Sequence, residues 1–160
     1  MALILQTGLE HQQRPVDAIA DVLQDVHIEQ PSQFYENPCI DLTDAKILSN
    51  IREIQQRKEL SVHHTYRKQI QSEVSLNLDI KMETGTGKTY VYTHTIYELH
   101  KRYGINKFVV AVPSLPIKAG ARAFMSDPYV LRHFKDTCGY GAEIDLCVLN
   151  AMQQKKGKKF

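Results

Sequence analysis

The sequence has 160 residues, 42% apolar and 24% charged, the make-up of one globular domain with room for a short appended segment rather than of a disordered chain. No apolar run approaches the ~18 residues of a membrane span, and the opening MALILQTGLEH lacks the basic flank and cleavage pattern of a secretion signal. Lys155, Lys156, Lys158 and Lys159 supply four positive charges; taking those four from the net +2 leaves residues 1–154 at −2, so the body of the chain is not a basic nucleic-acid-binding domain.

In chain order, Val16, Ile19, Ala20, Leu23 and Val26 recur at helical spacing after His11-Gln12-Gln13-Arg14, and Pro15 suits the first turn of that helix. Residues 29–38 (EQPSQFYENP) read as a connecting loop. Asp41-Leu-Thr-Asp44 offers a cap to a second helix whose buried stripe is Ile47, Leu48, Ile51 and Ile54. Residues 60–75, with His63, His64, Arg67 and Lys68, form a polar connector. Leu76, Leu78, Ile80 and Met82 then alternate with polar residues as a strand with one apolar face. Glu83–Gly87 is a turn, and a helix runs from Lys88 with Tyr92, Ile96, Leu99 and Tyr103 on one side until Gly104 ends it. Phe108–Val112 is an apolar run stopped by Pro113, the pattern of a strand buried on both faces of a parallel sheet. Strand, helix and strand in succession predict a right-handed βαβ unit. A short helix opens at Asp127-Pro128, with Val130, Leu131 and Phe134 inward, and 143–150 is a candidate third strand.

The informative segment is Met82-Glu83-Thr84-Gly85-Thr86-Gly87-Lys88-Thr89. Gly85 and Gly87 can take φ > 0 and turn backbone N–H groups inward on an anion, and the following helix aims its positive end at the same place. Lys88 suits the β- and γ-phosphates of ATP, and the Thr89 hydroxyl suits Mg²⁺. The general pattern GxxxxGK[ST] has Gly where Met82 stands here; the TGxGKT core is the variant typical of helicases. Upstream, Leu9-Glu-His-Gln12-Gln-Arg-Pro-Val resembles the glutamine element of superfamily 2 helicases, with Gln12 rather than Gln13 as the residue that reads the adenine edge. Val109–Ile117 resembles the helicase segment that holds a nucleic-acid backbone. Ser114, Lys118 and Arg122 are its candidate DNA contacts, against the alternative of a Pro-rich strand exit with solvated charges.

One family resemblance covers most of the chain, from Leu9 to the final KKGKKF. Asn50-Ile-Arg-Glu-Ile-Gln55, the loop Met82–Tyr90 running into Thr95-Ile-Tyr-Glu-Leu99, and Tyr103-Gly-Ile-Asn-Lys-Phe-Val-Val-Ala-Val-Pro-Ser114 are similar to the restriction subunit of type III restriction–modification enzymes. The resemblance implies an α/β fold with a partial RecA-like parallel sheet flanked by helices. It divides the chain into an N-terminal helical segment carrying the glutamine, 1–75, and the first, incomplete part of helicase lobe 1, 76–160. It further implies ATP and Mg²⁺ as cofactors, double-stranded DNA and a methyltransferase modification subunit as partners, and a parent protein that couples ATP hydrolysis to endonucleolytic DNA cleavage. Gln12, Glu83, Thr84, Gly85, Thr86, Gly87, Lys88 and Thr89 would form the nucleotide site, with Thr89 toward Mg²⁺.

Phosphoryl transfer also needs an acidic motif and an arginine finger. No DE-containing motif follows the loop, Asp145 sits inside an alternating pattern as a solvent-facing residue, and nothing resembles a second motor lobe or a nuclease motif. The expectation is therefore an N-terminal piece of a longer chain that binds ATP and hydrolyses little. Cys39, Cys138 and Cys147 form no CxxC pair, which argues against a disulfide framework or zinc ribbon and fits the cytoplasm. His63, His64, His94 and His100 lack ligand spacing for a metal. Alternative readings are a segment of another superfamily 2 helicase, or a non-catalytic docking module built on the first two helices. A nucleotide kinase would need a lid and a basic second-substrate site that the sequence lacks.

Overall fold

A computed structural model describes residues 5–33, 35–57 and 76–149. They fall into two compact units: Gln6–Val110, and a smaller one whose described part is Leu5 with residues 111–149. The polar connector of residues 60–75, with His63, His64, Arg67 and Lys68, lies outside the described residues, as do Asn150 and the terminal lysines.

In the larger unit, α1 spans Glu10–Asp21, β1 Ile28–Glu29, β2 Cys39–Ile40, α2 Ala45–Arg57 and α3 Lys88–Tyr103. Helix α1 begins ahead of Pro15 rather than at it. The N–H groups of Gln12 and Gln13 both donate to the Leu9 carbonyl, so the first turn closes without Pro15, which then sits inside the helix. The helix also stops earlier than the apolar spacing implies. Leu23 and Gln24 bond back only three residues, to Ala20 and Asp21, and Asp25 takes a left-handed φ of 56°. Val22, Leu23 and Val26 nevertheless remain buried, now from a turn.

Asp44 opens α2 as expected, its carboxylate accepting from the Lys46 N–H at 2.8 Å. Just upstream, the Thr43 hydroxyl and N–H both donate to Asp41, which holds that carboxyl below its ordinary range. Ile47 and Ile51 face inward and join Val22, Leu23 and Val26 in one cluster, with Ile54, Leu76, Leu78 and Leu99 packed at its edge. Asn50 satisfies the end of α1 by donating to the carbonyls of Val22 (3.0 Å) and Gln24 (2.8 Å). The segment read as a loop at 29–38 is closed by an antiparallel pair, Ile28 opposite Ile40 and Glu29 opposite Cys39.

Helix α3 has the bounds its glycines dictate. Gly87 stands at its head, and Gly104, left-handed at φ 71°, ends it by donating to the His100 carbonyl. Its buried set differs from the expected stripe: Tyr90, Val91, Thr93, His94, Thr95 and Tyr97 are the most enclosed, while Tyr92, Ile96, Leu99 and Tyr103 are half-buried. Threonines at buried helix positions are tolerable because their hydroxyls bond back one turn, Thr93 to the Thr89 carbonyl and Thr95 to that of Val91.

The expected parallel sheet is not formed: β1 and β2 make the one strand pair among the described residues. Segments 76–82, 108–112 and 143–149 run without ladder partners. Alternation specifies a face and not a partner. Accordingly Leu76 and Leu78 do turn toward the core and Ile144, Leu146 and Val148 alternate with exposed neighbours, while Val109, expected to be buried, is 87% exposed.

The smaller unit holds α4 (Leu115–Met125), α5 (Pro128–Arg132) and a π-helical turn, His133–Thr137. Asp127 caps α5 through the Tyr129 N–H at 2.8 Å, and Val130 and Phe134 are fully buried. Helix α4 was not expected; Ser114 before it, Pro116 in its first turn and the four-residue spacing of Ile117, Ala121 and Met125 are the signals it carries.

Ile47→Ala should lower the unfolding free energy by about 2–5 kcal/mol, the range for a fully enclosed aliphatic truncation, and Asn50→Ala by about 0.5–1.5 kcal/mol, the order for hydrogen bonds that water can replace in part. Urea unfolding followed by circular dichroism checks both.

Candidate functional site

The loop 83–87 is folded around one acceptor. The Glu83 carbonyl takes hydrogen bonds from the Thr86 hydroxyl (2.8 Å) and the Lys88 ammonium (2.6 Å), while Gly85 and Gly87 both stand at φ 84°, a conformation that a side chain disfavours. Lys88, Glu83, Thr84 and Gly85 are exposed; Thr86, Gly87 and Thr89 are half-buried. The head of α3 carries no side-chain cap and its first turn holds no acid. A helix start of this kind leaves N–H groups and a partial positive charge directed at the loop, with the Lys88 ammonium beside them. The arrangement is chemically suited to an anion.

Gln12, in the first turn of α1, reaches this loop. Its Nε2 donates to the Thr86 carbonyl at 3.2 Å. A Cβ on Gly87 would lie 2.5 Å from the same nitrogen, so the absence of a side chain there is what admits the glutamine. Gln13 turns instead to Asp17 on its own helix, at 2.9 Å. Of the two glutamines, Gln12 therefore faces the loop and Gln13 its own helix.

Sequence reasoning missed what holds α1 against α3. Arg102, in the last turn of α3, contacts Asp21 at 2.9 Å, Asp17 at 3.5 Å and Glu98 at 2.5 Å. Partial burial works against its charge, but Glu98 and Asp21 outweigh that and keep the guanidinium above its ordinary range. The Tyr103 hydroxyl donates to the Ala20 carbonyl at 2.6 Å. Arg57 of α2 approaches Asp21 at 3.9 Å, and these groups line a cavity of about 290 Å³ with Arg14, Ala18 and Ile54. Asn37 pins the chain beyond α3: its Oδ1 accepts from the N–H groups of Asn106 (2.8 Å) and Lys107 (2.7 Å), and its Nδ2 donates to the Lys107 carbonyl (3.0 Å).

In the smaller unit, Ser114, Lys118 and Arg122 follow one another at four-residue intervals, from the N-cap of α4 along the helix. Ser114 and Arg122 are exposed, and Lys118 donates to the Leu149 carbonyl. Asp145 is exposed on its extended segment. Cys138 Sγ lies 3.6 Å from His133 Nε2, and burial lowers the pKa of that histidine. His94 is enclosed against Tyr90, and His100 Nδ1 lies 3.2 Å from the Ile105 carbonyl. Among the described residues no group of three or more His, Cys, Asp or Glu side chains is gathered as a metal would require. No helix among them is long and apolar enough to cross a membrane.

A Gly-Lys-Thr loop thus opens α3, with a glutamine from an earlier helix laid against it. The family model described as "Type III restriction enzyme, res subunit" matches residues 10–139. The Res subunit of the type III restriction-modification enzyme EcoPI from Escherichia phage P1 is 36% identical over 157 residues, covering 96% of this chain and 16% of that protein. The EcoP15I Res subunit of Escherichia coli is 34% identical over 158 residues with the same two coverages, 96% and 16%. The StyLTI Res subunit of Salmonella typhimurium (strain LT2) is 49% identical over 85 residues, 52% of this chain and 8% of that protein. This chain belongs to the family of type III restriction enzyme Res subunits, and it spans 16% of the length of the EcoPI and EcoP15I relatives.

Gly85→Ala and Gly87→Ala should each cost roughly 1–2 kcal/mol from the left-handed backbone alone. Only Gly87→Ala also displaces the Gln12 amide. Gln12→Ala should therefore lower stability by about 0.5–1.5 kcal/mol in the Gly85→Ala background and by close to nothing in the Gly87→Ala background. Chemical denaturation of the four variants measures that coupling.

Proposed function

We propose that this chain is the ATP-binding portion of a type III restriction enzyme's Res subunit, a DNA-dependent ATPase and translocase coupled to endonucleolytic cleavage of double-stranded DNA. The observation that carries the reading is the Gln12 contact with Thr86 at the uncapped head of α3, which brings a base-reading amide and an anion-suited loop together. The residues fit a nucleotide: two left-handed glycines open the loop, no acid opposes a phosphate in the first turn, and Gly87 leaves room for Gln12.

On this reading Glu83, Thr84, Gly85, Thr86 and Gly87 form the cradle, with backbone N–H groups toward the phosphates. Lys88 exchanges the neutral Glu83 carbonyl for a phosphate oxygen, a stronger, charge-assisted partner. Thr89 would hold Mg²⁺ and Gln12 would read adenine through its amide, which donates to Thr86. Bound ATP with Mg²⁺ supplies the phosphoryl-transfer chemistry that powers the whole protein. This chain on its own binds nucleotide and hydrolyses little, because no acidic motif follows the loop in its sequence.

Residues 1–75 then form the helical segment that presents Gln12, and 76–160 the first part of a RecA-like helicase lobe. Ser114, Lys118 and Arg122 contact the DNA backbone without reading sequence. The modification subunit, a methyltransferase, is the protein partner, and the assembly works in the cytoplasm.

Calorimetry with a non-hydrolysable ATP analogue and Mg²⁺ tests the site. The unmodified chain should bind, and Lys88→Ala should weaken binding at least tenfold, the order expected for loss of a charge-assisted phosphate contact. Equal binding by both proteins, or none by either at saturating nucleotide, overturns the assignment.

A further inference from the structure

Helices α1 and α3 run in the same direction. The first turn of α1 meets the head of α3 through Gln12 and Thr86, and the end of α1 meets the last turn of α3 through Asp21 with Arg102 and Ala20 with Tyr103. Burial of Val16 and Ala20 presses the pair together but, being non-directional, does not fix how far one helix slides along the other. Axial register has to come from directional contacts. At the site end the bond of Gln12 to Thr86, 3.2 Å, is such a contact. At the far end Tyr103 holds the Ala20 carbonyl at 2.6 Å, and Arg102 reaches both Asp17 and Asp21 of α1 while Glu98 anchors it on α3. A slide by the rise of one helical residue, about 1.5 Å, would carry the Gln12 amide out of hydrogen-bond reach of Thr86.

We propose that Arg102 is a positioning residue for base recognition: by tying Asp17 and Asp21 to α3 it sets the register that holds the Gln12 amide beside the phosphate loop, and so governs discrimination of adenine from guanine nucleotides. The inference rests on the nucleotide reading above. A glutamine amide accepts from the adenine exocyclic amine and donates to the adjacent ring nitrogen; guanine puts a carbonyl where the amine would be and opposes the glutamine oxygen. That preference depends on where the amide stands. The triphosphate contacts lie within the loop and the head of α3 and do not depend on α1.

The test compares binding of ATP, GTP and inorganic tripolyphosphate, each with Mg²⁺, to the full 160-residue chain. The variants are Arg102→Met, Arg102→Lys, Asp17→Asn/Asp21→Asn and Arg57→Met. The unmodified chain should prefer ATP over GTP. Arg102→Met should reduce the ATP/GTP affinity ratio roughly three- to tenfold, the order for losing one or two hydrogen bonds, with tripolyphosphate affinity unchanged. Arg102→Lys should recover part of the ratio. The double aspartate variant, which removes the same tie from the α1 side, should reproduce Arg102→Met. Arg57→Met should leave the ratio as it is, because Arg57 joins Asp21 to α2 rather than to α3. A ratio that survives both Arg102→Met and the double aspartate variant overturns the register role while leaving the nucleotide site standing. Tripolyphosphate binding with no preference between ATP and GTP in the unmodified chain overturns base reading by Gln12 and this inference with it, and absence of any nucleotide binding overturns the site itself.

Discussion

The larger unit depends on one constraint, that α1 is pinned to α3 at both ends. Apolar packing supplies the attraction, through Val16 and Ala20, and polar contacts supply the geometry. Hydrogen bonds at the two ends, Gln12 with Thr86 and Tyr103 with Ala20, bracket an ion-paired cluster around Arg102. Most of these groups are partly exposed, so each pair contributes little to stability by itself. Their value is directional: with Glu98, Asp17 and Asp21 on one guanidinium, few arrangements of the two helices satisfy all three carboxylates.

The rest of the unit is arranged around that pair. Helix α2 closes the core from the other side with Ile47 and Ile51, and its Asn50 takes up the carbonyls that the early end of α1 leaves open. The loop between β1 and β2 serves the opposite end of α3: Gln30 donates to the Tyr103 carbonyl and Asn37 mimics a strand partner for the backbone of residues 106 and 107. Side-chain amides thus satisfy backbone at three places where regular pairing stops, a device suited to a fold with little sheet of its own.

Legibility in the sequence followed the range of the interaction. Helices α2 and α3 were readable because their limits are local: the Asp44 cap, and Gly87 and Gly104 at either end of α3. The turn at 83–87 was readable for the same reason, since its glycines, its lysine and its helix are contiguous. The start of α1 was misplaced because Pro15 reads as a first-turn residue, and α4 was missed because Pro113 and Pro116 read as a strand exit. Extended segments were legible as faces only in part, since Leu76 and Leu78 turn to the core while Ile80 and Val109 are exposed, and not as a sheet, since pairing is a property of two segments. The Arg102 cluster was invisible: Asp21 lies 81 positions away and nothing local marks the pair.

The hydrogen bonding of the loop bears on how such a site would work. Lys88 and Thr86 share the Glu83 carbonyl, which gives the loop an acceptor of its own. Preorganisation of that kind lowers the ordering cost of binding, because the glycine conformations already exist and only the lysine must change partner. Gln12 adds a second restraint from outside the loop, on the carbonyl of Thr86, the residue whose hydroxyl closes the turn. On the proposed reading, base recognition depends on where α1 stands, while the phosphate contacts stay within the loop and the head of α3. Communication between the helix pair and the nucleotide therefore requires no hinge: it follows from one amide spanning two elements whose relative position is set at their far ends.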